Sequence, residues 1–315
     1  MDSFRVLLIV ILPPTQSGEE SLFYMKPVVV IIGAGAMGQV MGALMGKKAP
    51  VLYWDATSGK VPNQRELSEV LKNAVAVFLC VPSGAVRVAA MAAASYLRRD
   101  VPVVTIAKGI EAKTGKFMPE VLQESLRPGQ PYGIVSGPML ASELGAGQGG
   151  SGVVAVSSAP AYKIIVALFV GSSLKLFYSK ELSAVALGGV LKNIYAVIIG
   201  IALGLGWKHN RIGALISDEI NEILRIFGEY GLPMETAVGP ACLGDLLATG
   251  LSADSRNHQI GEKLAINEEG TSEGTRALPF VFKRVKKLGR KNLPLLFALA
   301  DVLARKKTAR AAFQK

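Results

Sequence analysis

The chain has 315 residues, half of them hydrophobic, and a formal net charge of +11 at pH 7. This length favours two domains that each bury a core, and the composition argues against a disordered chain. The two cysteines and two histidines lack metal-site spacing, which argues against a metal site and a disulfide framework. We expect no metal, reduced thiols and a cytoplasmic location.

The first 24 residues precede the folded pattern. Their apolar run, Val6 to Leu12, is too short to span a bilayer and lacks the clear cleavage site of a signal peptide. Regular structure is predicted only after Met25. Residues 1–24 are therefore predicted to be a disordered extension, or the result of a start codon assigned too far upstream.

Residues 25–181 are predicted to form a doubly wound domain. Short β-branched runs alternate with helical patterns such as 85–98, 116–126 and 160–170. Near-continuous apolar strands separated by helices are typical of a mostly parallel sheet covered on both faces. The glycine-rich stretch 145–152 is predicted to be a loop inside this domain. The predicted strands are 28–32, 51–54, 74–82, 101–107, 131–137, 152–158 and 174–179.

Residues 182–315 are predicted to form an all-α domain, because strand patterns stop near Ser179. Its first helix is predicted over 183–204, and from Ala184 to Trp207 the only strongly polar side chains are Lys192 and Asn193. A charge there must be paired or neutralised. Three interpretations compete: a membrane span with a functional charge, a core helix with a structural lysine, and a catalytic lysine at a cleft. The glycines and the central lysine disfavour a span, and in a buried helix the glycines permit close packing.

The positive charge is concentrated near the carboxyl terminus. The segment 283–315 holds eleven lysines and arginines and a single acid, Asp301. Such a segment can contact a membrane surface or nucleic acid, but it is more often a solvated helix face. Its charges do not alternate with aromatic residues as in single-strand binding proteins. We expect no nucleic-acid partner, and a weak peripheral membrane contact stays an alternative.

A glycine motif, GAGAMG, follows the first predicted strand and opens a helix. Gly33 allows the tight turn, Gly35 lets the backbone approach a pyrophosphate, and Gly38 lets helix and strand pack closely. The amino terminus of the helix would face the phosphates. The motif therefore predicts a dinucleotide-binding turn, made of Gly33, Ala34, Gly35, Ala36, Met37 and Gly38.

Asp55 ends the second predicted strand, 20 residues after Gly35. A carboxylate there can accept both ribose hydroxyls of NAD and would repel the 2′-phosphate of NADP. Two basic residues just downstream, Lys60 and Arg65, keep NADP as the alternative to NAD. The structural alternative to the motif is a glycine turn followed by a capping aspartate.

Two lysines are candidates for chemistry. Lys108 follows the fourth predicted strand, at the carboxyl edge of the sheet where a ligand would bind. Lys192, held among apolar residues, is expected to have a lowered pKa that suits proton transfer near neutral pH. A nearby carboxylate such as Asp245 would orient it, and the planar fork of Arg256 suits a phosphate.

Each candidate also has a structural explanation. Asp245 could cap the helix that follows it, and Arg256 could form a surface salt bridge. His258 is expected to be structural or exposed, and His209 to lie in a loop. A purely structural role is least favourable for Lys192, because burying its charge in an apolar helix costs free energy that no function would offset.

The motifs together resemble the NAD(P)-dependent glycerol-3-phosphate dehydrogenases. The resemblance covers roughly residues 27–280, and its most specific part is the Lys-Asn pair followed by LGDL and SRN. It implies a Rossmann-type domain, a helical domain of the 6-phosphogluconate-dehydrogenase kind, and a homodimer. Related β-hydroxyacid dehydrogenases share this architecture. The stretches that carry it are GAGAMG, VPS, KGIE, SGPMLASE, GVLKNIYAVIIGIALGLGWKHN, LGDLLAT and SRNHQIG.

The resemblance implies roles for individual residues. Lys192 would be the general base in glycerol 3-phosphate oxidation and the general acid in dihydroxyacetone phosphate reduction, while Lys108 would polarise the substrate oxygen. Asn193, Asp245 and Thr249 would hydrogen-bond the reacting centre or Lys192. The implied substrate-binding residues are Lys108, Ser136, Thr249, Ser255, Arg256 and Asn257. Beyond the glycine turn, the implied cofactor-binding residues are Asp55, Val81, Pro82, Lys108, Ala141, Arg256 and Glu273.

Three features depart from the family pattern without removing a predicted catalytic residue. Asp218 and Glu219 stand where many members carry Arg-Gly, Cys242 stands where Gly is usual, and the chain after about Pro279 is unusually basic. The expected function is the supply of glycerol 3-phosphate for phospholipid synthesis. The alternatives are another hydroxyacid dehydrogenase of this fold and a catalytically silent nucleotide-binding protein.

Overall fold

The computed structural model describes residues 27–313, so the extension predicted for residues 1–24 lies outside the described residues. Seven strands form one sheet in the order β2-β1-β3-β4-β5-β6-β7. The strands are β1 Val28–Ile32, β2 Val51–Trp54, β3 Ala74–Leu79, β4 Val103–Thr105, β5 Tyr132–Ser136, β6 Gly150–Val156 and β7 Leu174–Ser179.

The sheet is mostly parallel, as predicted. Strands β1 to β5 are parallel to one another, whereas β6 is antiparallel to β5 and parallel to β7. Strand β1 lies between β2 and β3, with Val30 paired to Leu52 on one side and to Val77 on the other. The chain therefore runs from β1 to β2 on one side and then crosses to β3 on the other side, so the strand order reverses between β1 and β3. A crevice forms at the carboxyl ends of the strands at such a point.

Helices cover both faces of this sheet. Alternate residues of β1 and β3 enter different cores: Val30 and Val77 pack on one face, and Ile31 and Phe78 on the other. This is why the strands read as nearly continuous apolar runs. The helices of this half are α1 Ala36–Met45, α2 Leu67–Leu71, α3 Val86–Ala94, α4 Met118–Ser125, α5 Ala141–Gly145 and α6 Ala159–Leu168.

The prediction of a loop over 145–152 is wrong at its end, because β6 begins at Gly150. A side chain on Gly150 would place its Cβ 2.8 Å from the Pro138 carbonyl oxygen, and one on Gly152 would place it 3.1 Å from Leu176. Glycine is therefore needed here for close strand packing rather than for a flexible loop.

The second half of the chain is helical, as predicted. His209 begins a helix here and does not lie in a loop. A π-helical turn, Pro240–Gly244, precedes the helix that starts at Asp245. The helices are α7 Leu182–Gly204, α8 His209–Tyr230, α9 Asp245–Leu251, α10 Arg256–Ala265, α11 Glu273–Val285, α12 Gly289–Asn292, α13 Pro294–Leu303 and α14 Ala309–Phe313.

Helix α7 is the centre of the helical half. It is the one helix among residues 27–313 that is long and apolar enough to cross a membrane, and its apolar window is entirely buried within the fold. It crosses α10 where two glycines meet: a Cβ on Gly261 would lie 2.2 Å from the Val197 carbonyl oxygen, and one on Gly200 would lie 2.3 Å from that of His258. The glycines of α7 thus permit close packing, as the sequence predicted.

Candidate active site

Lys192 lies on α7 and faces α9. Its Nζ donates a hydrogen bond to Thr249 Oγ1 at 2.7 Å and lies 3.1 Å from Asp245 Oδ1. Burial lowers the pKa of Lys192 to about 8, with Asp245 acting in the opposite direction and Lys108 adding to the decrease. The buried ammonium is therefore paired, and it can both lose and gain a proton near neutral pH.

Asp245 is shared between two lysines. Lys108 Nζ lies 2.5 Å from Asp245 Oδ2 and also donates to the Gly137 carbonyl oxygen at 2.9 Å. Burial alone would raise the pKa of Asp245, but the charges of Lys108 and Lys192 outweigh it and lower that pKa. A charged carboxylate thus holds both ammonium groups in one cluster, and its oxygens serve this cluster rather than a helix cap.

A chain of amide groups joins the sheet to three helices. Asn193 Nδ2 donates to the Lys108 carbonyl oxygen at 3.1 Å, and Asn257 Nδ2 donates to Asn193 Oδ1 at 2.8 Å. The Gly274 N–H then donates to Asn257 Oδ1 at 3.1 Å. Both Asn side chains are nearly buried, so this chain fixes α7, α10 and α11 relative to the loop after β4.

The amino terminus of α10 lies next to this cluster and is suited to bind an anion. Ser255 caps the helix, because its side chain accepts a hydrogen bond from the His258 N–H. Arg256 is exposed, and within residues 27–313 it has no ion-pair partner. A free guanidinium beside the unpaired N–H groups of a helix start can bind a phosphate.

The glycine turn after β1 leaves room for a dinucleotide. Gly33 has φ +102°, and a Cβ there would lie 2.7 Å from the Cys80 carbonyl oxygen. A Cβ on Gly38 would lie 1.9 Å from the Gly33 carbonyl oxygen, whereas one on Gly35 would meet no atom of residues 27–313 within 4 Å. The turn is thus closed toward the protein and open at Gly35, which is the shape that a pyrophosphate needs. Ala34, Ala36 and Met37 belong to the same turn.

Asp55 follows β2 and binds this turn. Its Oδ2 accepts from the Ala34 N–H and its Oδ1 from the Thr57 N–H, both at 2.8 Å. Burial acts to raise the pKa of Asp55, but these N–H groups and Lys60 outweigh it and lower that pKa. The carboxylate therefore stays charged beside the turn, where a ribose would lie. Lys60 Nζ is 3.9 Å from it and half exposed.

The sheet and the helical half meet at Ser83 and Glu273. Ser83 Oγ donates to the carboxylate of Glu273, at 2.9 Å to Oε2. Gly109 lies against both, since a Cβ there would be 2.7 Å from Ser83 Cβ and 3.0 Å from Glu273 Oε2. Glu273 is thus close to the loop that carries Lys108, as a cofactor contact would require.

The remaining predicted site residues lie near the glycine turn or near Lys108, and one of them, Ser136, is not accessible to a ligand. Val81 and Pro82 follow β3, and the Val81 side chain lies against Gly33. Ala141 begins α5, which packs against α1. Ser136 is fully buried, and its Oγ lies 3.5 Å from the Ala241 carbonyl oxygen. Its hydroxyl therefore takes part in the packing below the Lys108 side chain, against Gly189, and does not reach the crevice.

Sequence reasoning missed three groups at this site. Ser83, the Gly137 carbonyl and the pair of Arg87 with Glu111 hold the loop around Lys108. The Arg87 guanidinium lowers the pKa of Glu111 to about 2, so the pair stays charged. The Ser in VPS and the Glu in KGIE were available signals, but their partners are far away in sequence.

Family models match both halves of the chain. The model described as NAD-dependent glycerol-3-phosphate dehydrogenase N-terminus matches residues 57–161, and its C-terminal counterpart matches residues 181–314. A glycerol-3-phosphate dehydrogenase [NAD(P)+] of a Synechocystis strain is 32% identical, over 82% of this chain and 83% of the relative. The chain belongs to the NAD-dependent glycerol-3-phosphate dehydrogenase family.

Other members of this family match along almost their whole length. A glycerol-3-phosphate dehydrogenase [NAD(P)+] from Sphingopyxis alaskensis is 29% identical, over 92% of this chain and 96% of the relative. The crystal structure of glycerol-3-phosphate dehydrogenase from Coxiella burnetii has 25% identity and a TM-score of 0.77, covering 92% of this chain and 98% of that one. The family fold therefore includes both the sheet and the helical half.

The amino-terminal model of the glycerol-3-phosphate dehydrogenase family begins at residue 57, after the glycine turn and Asp55. What favours a dinucleotide at residues 33–55 is their geometry: a turn open at Gly35, a helix start, and a charged Asp55. The Lys192 cluster is formed mainly by residues inside the carboxyl-terminal model.

Proposed function

We propose that the protein interconverts glycerol 3-phosphate and dihydroxyacetone phosphate, with NAD or NADP as the hydride carrier. The observation that carries the proposal is the buried Lys192–Asp245–Lys108 cluster beside a glycine turn that fits a dinucleotide. When bound, the nicotinamide supplies or accepts the hydride at substrate C2. The protein's own residues then bind, orient and exchange the proton.

Lys192 is proposed to exchange the proton with the substrate oxygen at C2. As an ammonium it donates this proton during ketone reduction, and as a neutral amine it accepts the proton during alcohol oxidation. Thr249 and Asp245 hold its Nζ in place. A pKa of about 8 makes both protonation states accessible near neutral pH.

Lys108 is proposed to bind the same oxygen and stabilise the charge that develops on it. Its ammonium is fixed by Asp245 and by the Gly137 carbonyl, so it needs no rearrangement during reaction. Asn193 supports it by hydrogen-bonding the Lys108 backbone. Asp245 is the shared anchor of both lysines.

Arg256 is proposed to bind the substrate phosphate, together with the helix start capped by Ser255 and the remaining Asn257 donor. A phosphate there would leave the carbon skeleton pointing toward Lys192. Asp55 favours NAD over NADP, since its charge repels a 2′-phosphate. Glu273 would contact the nicotinamide half of the cofactor.

The first test is NADH oxidation with dihydroxyacetone phosphate, comparing wild type with Lys192→Met. Methionine preserves the buried volume and removes the proton, so kcat should fall by about 100-fold or more while NADH affinity is kept. Lys208→Met, an exposed lysine on the same half, is the matched control. Full activity of a folded Lys192→Met enzyme would refute the role of Lys192.

Substrate profiling separates the alternatives. Activity that requires the phosphate group supports glycerol 3-phosphate chemistry, because a free arginine at a helix start recognises that group. Activity only with carboxylated ketones would indicate another hydroxyacid dehydrogenase. NADH binding without turnover on either class would indicate a silent nucleotide-binding protein.

We also propose the cellular setting. The protein is a cytoplasmic homodimer with domains over 25–181 and 182–315 after an extension of residues 1–24, and it supplies glycerol 3-phosphate for phospholipid synthesis. Light scattering on the purified protein tests the dimer. A peripheral contact with anionic membranes is supported by exposed lysines in the last turn of α11 and in the segment that leads to α13.

A further inference from the structure

His258 is a buried side chain whose ring contacts two different elements. It lies in the first turn of α10 and is 5% exposed. Its Nδ1 is 2.6 Å from the Gly250 carbonyl oxygen, and its Nε2 is 3.3 Å from Glu262 Oε1. Because a carbonyl oxygen only accepts hydrogen bonds, Nδ1 carries a hydrogen and donates it to Gly250.

This hydrogen bond joins the two ends of the proposed substrate site. Gly250 directly follows Thr249, whose hydroxyl accepts from Lys192. His258 directly follows Asn257 and lies two positions after Arg256 on the helix start proposed to bind phosphate. One ring therefore connects the helix end beside the proton-transferring group with the helix start beside the phosphate.

The chain between these two points is held by few buried contacts: Ser255 is buried, and Gln259 Nε2 donates to the Ala253 carbonyl oxygen at 2.9 Å. Leu251, Ala253 and Asp254 are exposed, and Ser252 is half-buried. Helix α10 is held to α7 through Gly261 and through Asn257 with Asn193. The His258 ring adds a buried attachment of α10 to α9, which carries Thr249 and Asp245.

We propose that His258 is a positioning residue that sets the distance between the Lys192–Thr249 pair and the phosphate-binding helix start. This inference rests on the proposed function. A substrate that carries its reacting carbon and its phosphate on one short skeleton needs both groups at a fixed separation. A displacement on the order of 1 Å can reduce the rate by about 100-fold.

The test compares His258→Leu with His258→Asn. Leucine fills the apolar part of the site without a donor, whereas the asparagine Nδ2 can donate from a position near that of the histidine Nδ1. The two substrates are dihydroxyacetone phosphate and dihydroxyacetone, the latter assayed at high enzyme concentration. Glu262→Gln is the matched control, since it changes only the half-exposed group facing Nε2.

His258→Leu should lower kcat/KM for dihydroxyacetone phosphate by about 10- to 100-fold while leaving NADH affinity and the rate with dihydroxyacetone unchanged. His258→Asn should recover most of the loss, and Glu262→Gln should behave as wild type. Equal proportional losses on both substrates would mean that His258 only stabilises the fold, and no loss would mean that it positions nothing. Either result overturns the proposal. A wild type that is inactive with dihydroxyacetone phosphate overturns the proposed function instead.

Discussion

Lys192 shows how the charge of one residue constrains its surroundings. Because Lys192 lies in an apolar helix, its ammonium must either pair with an anion or lose its proton more easily. The structure shows both: Asp245 pairs with Lys192, and the pKa of Lys192 is lowered. Asp245 keeps the charged form accessible, while Lys108 and burial oppose it. The balance of these three effects brings the pKa to about 8. The site is therefore poised for proton transfer in both directions.

The two reaction directions should depend on pH in opposite ways. In the proposed mechanism protonated Lys192 is the acid in dihydroxyacetone phosphate reduction, so kcat/KM for this direction should fall as pH rises through about 8. Glycerol 3-phosphate oxidation needs the neutral amine, so its kcat/KM should rise through the same region. The measurement is initial rate in both directions from pH 6 to pH 10. Parallel profiles would contradict the assignment.

Asp245→Asn should shift this dependence to lower pH. The carboxylate raises the pKa of Lys192 against burial, so its removal leaves burial and the repulsion from Lys108 unopposed. The midpoint of the reductive pH profile should move down by about one unit or more, with reduced activity at pH 7. Asp254→Asn, an exposed aspartate on the following loop, should keep the wild-type midpoint. An upward shift would show that Asp245 does not support the ammonium form.

At the scale of elements, the crossing of α7 and α10 depends on glycine. Gly261→Ala should lower the free energy of unfolding by about 1–3 kcal/mol, because the new Cβ would meet the backbone of Val197 and force the helices apart. Gly213→Ala is the matched control in α8, where a Cβ would meet no atom of the described part of the chain within 4 Å. It should stabilise by about 0.5–1 kcal/mol. Urea unfolding measures both, and equal effects would refute the packing argument.

Helix α8 buries two glutamates one turn apart. Glu222 accepts from Tyr195 Oη and from the Leu295 and Leu296 N–H groups, so it caps α13. Glu219 is fully buried, and neither of its carboxyl oxygens has a hydrogen-bond partner among residues 27–313. Burial and the neighbouring Glu222 and Asp218 raise the pKa of Glu219 well above its usual range. In the folded state Glu219 therefore keeps its proton at pH values where an unburied glutamate has lost it.

Glu219 should make stability decrease as pH rises. Its pKa is higher in the folded than in the unfolded state, so its contribution is complete below the unfolded pKa and is lost progressively above it. Between the unfolded pKa and the raised folded pKa, one such group contributes a slope of about −1.4 kcal/mol per pH unit. Burial likewise raises the pKa of Glu222 to about 7, so Glu222 adds to the decrease over the same range.

Glu219→Gln should make the dependence of stability on pH shallower by about 1.4 kcal/mol per unit. The exposed Glu235→Gln is the control and should leave the slope unchanged. The measurement is urea unfolding at pH 5, 6 and 7. A Glu219→Gln slope equal to that of wild type would show that this carboxyl does not remain protonated in the fold.

At the scale of the whole molecule, α11 connects the site to a basic surface. The helix has 13 residues, starts at Glu273 beside Ser83 and ends at Val285, about 18 Å away. We define the basic surface as Lys283, Lys286 and Lys291, which are exposed and have no ion-pair partner among residues 27–313. Neighbouring cations are engaged: Lys287 pairs with Glu229, and Arg284 stacks on Tyr230.

Replacing the three lysines of the basic surface with glutamine should weaken sedimentation with anionic vesicles. Each lysine near an anionic surface contributes about 1 kcal/mol, so partitioning should fall by about 100-fold at low salt. The matched control replaces three other exposed lysines with glutamine: Lys72, Lys163 and Lys180. It removes the same positive charge elsewhere on the protein and should change vesicle binding little. Dehydrogenase activity in solution should be unchanged in both variants. Equal binding of both variants, or equally strong binding of the wild type to zwitterionic vesicles, would refute the proposed contact of the basic surface with anionic membranes.

The sequence by itself determined the elements and the nature of the site. Apolar β-branched runs predicted the strands, because central strands such as β1 and β3 are buried on both faces. The turn at Gly33 to Gly38 follows from local backbone needs. The apolar context of Lys192 already required a partner or a shifted pKa. The glycines of 145–152 led to the wrong prediction of a loop up to residue 152, whereas β6 begins at Gly150. Local composition does not distinguish a flexible turn from a strand that packs closely on its neighbours.

Only the tertiary structure decided which groups meet. Asp245 lies 137 residues from Lys108, and sequence spacing alone does not reveal that one carboxylate serves both this lysine and Lys192. The amide chain through Asn193 and Asn257, the Ser83–Glu273 contact and the His258 bond are equally non-local. Such contacts depend on how helices cross and how closely their backbones approach. Local periodicity predicts which side of a helix is buried, but the partner is set by the packing of the whole fold.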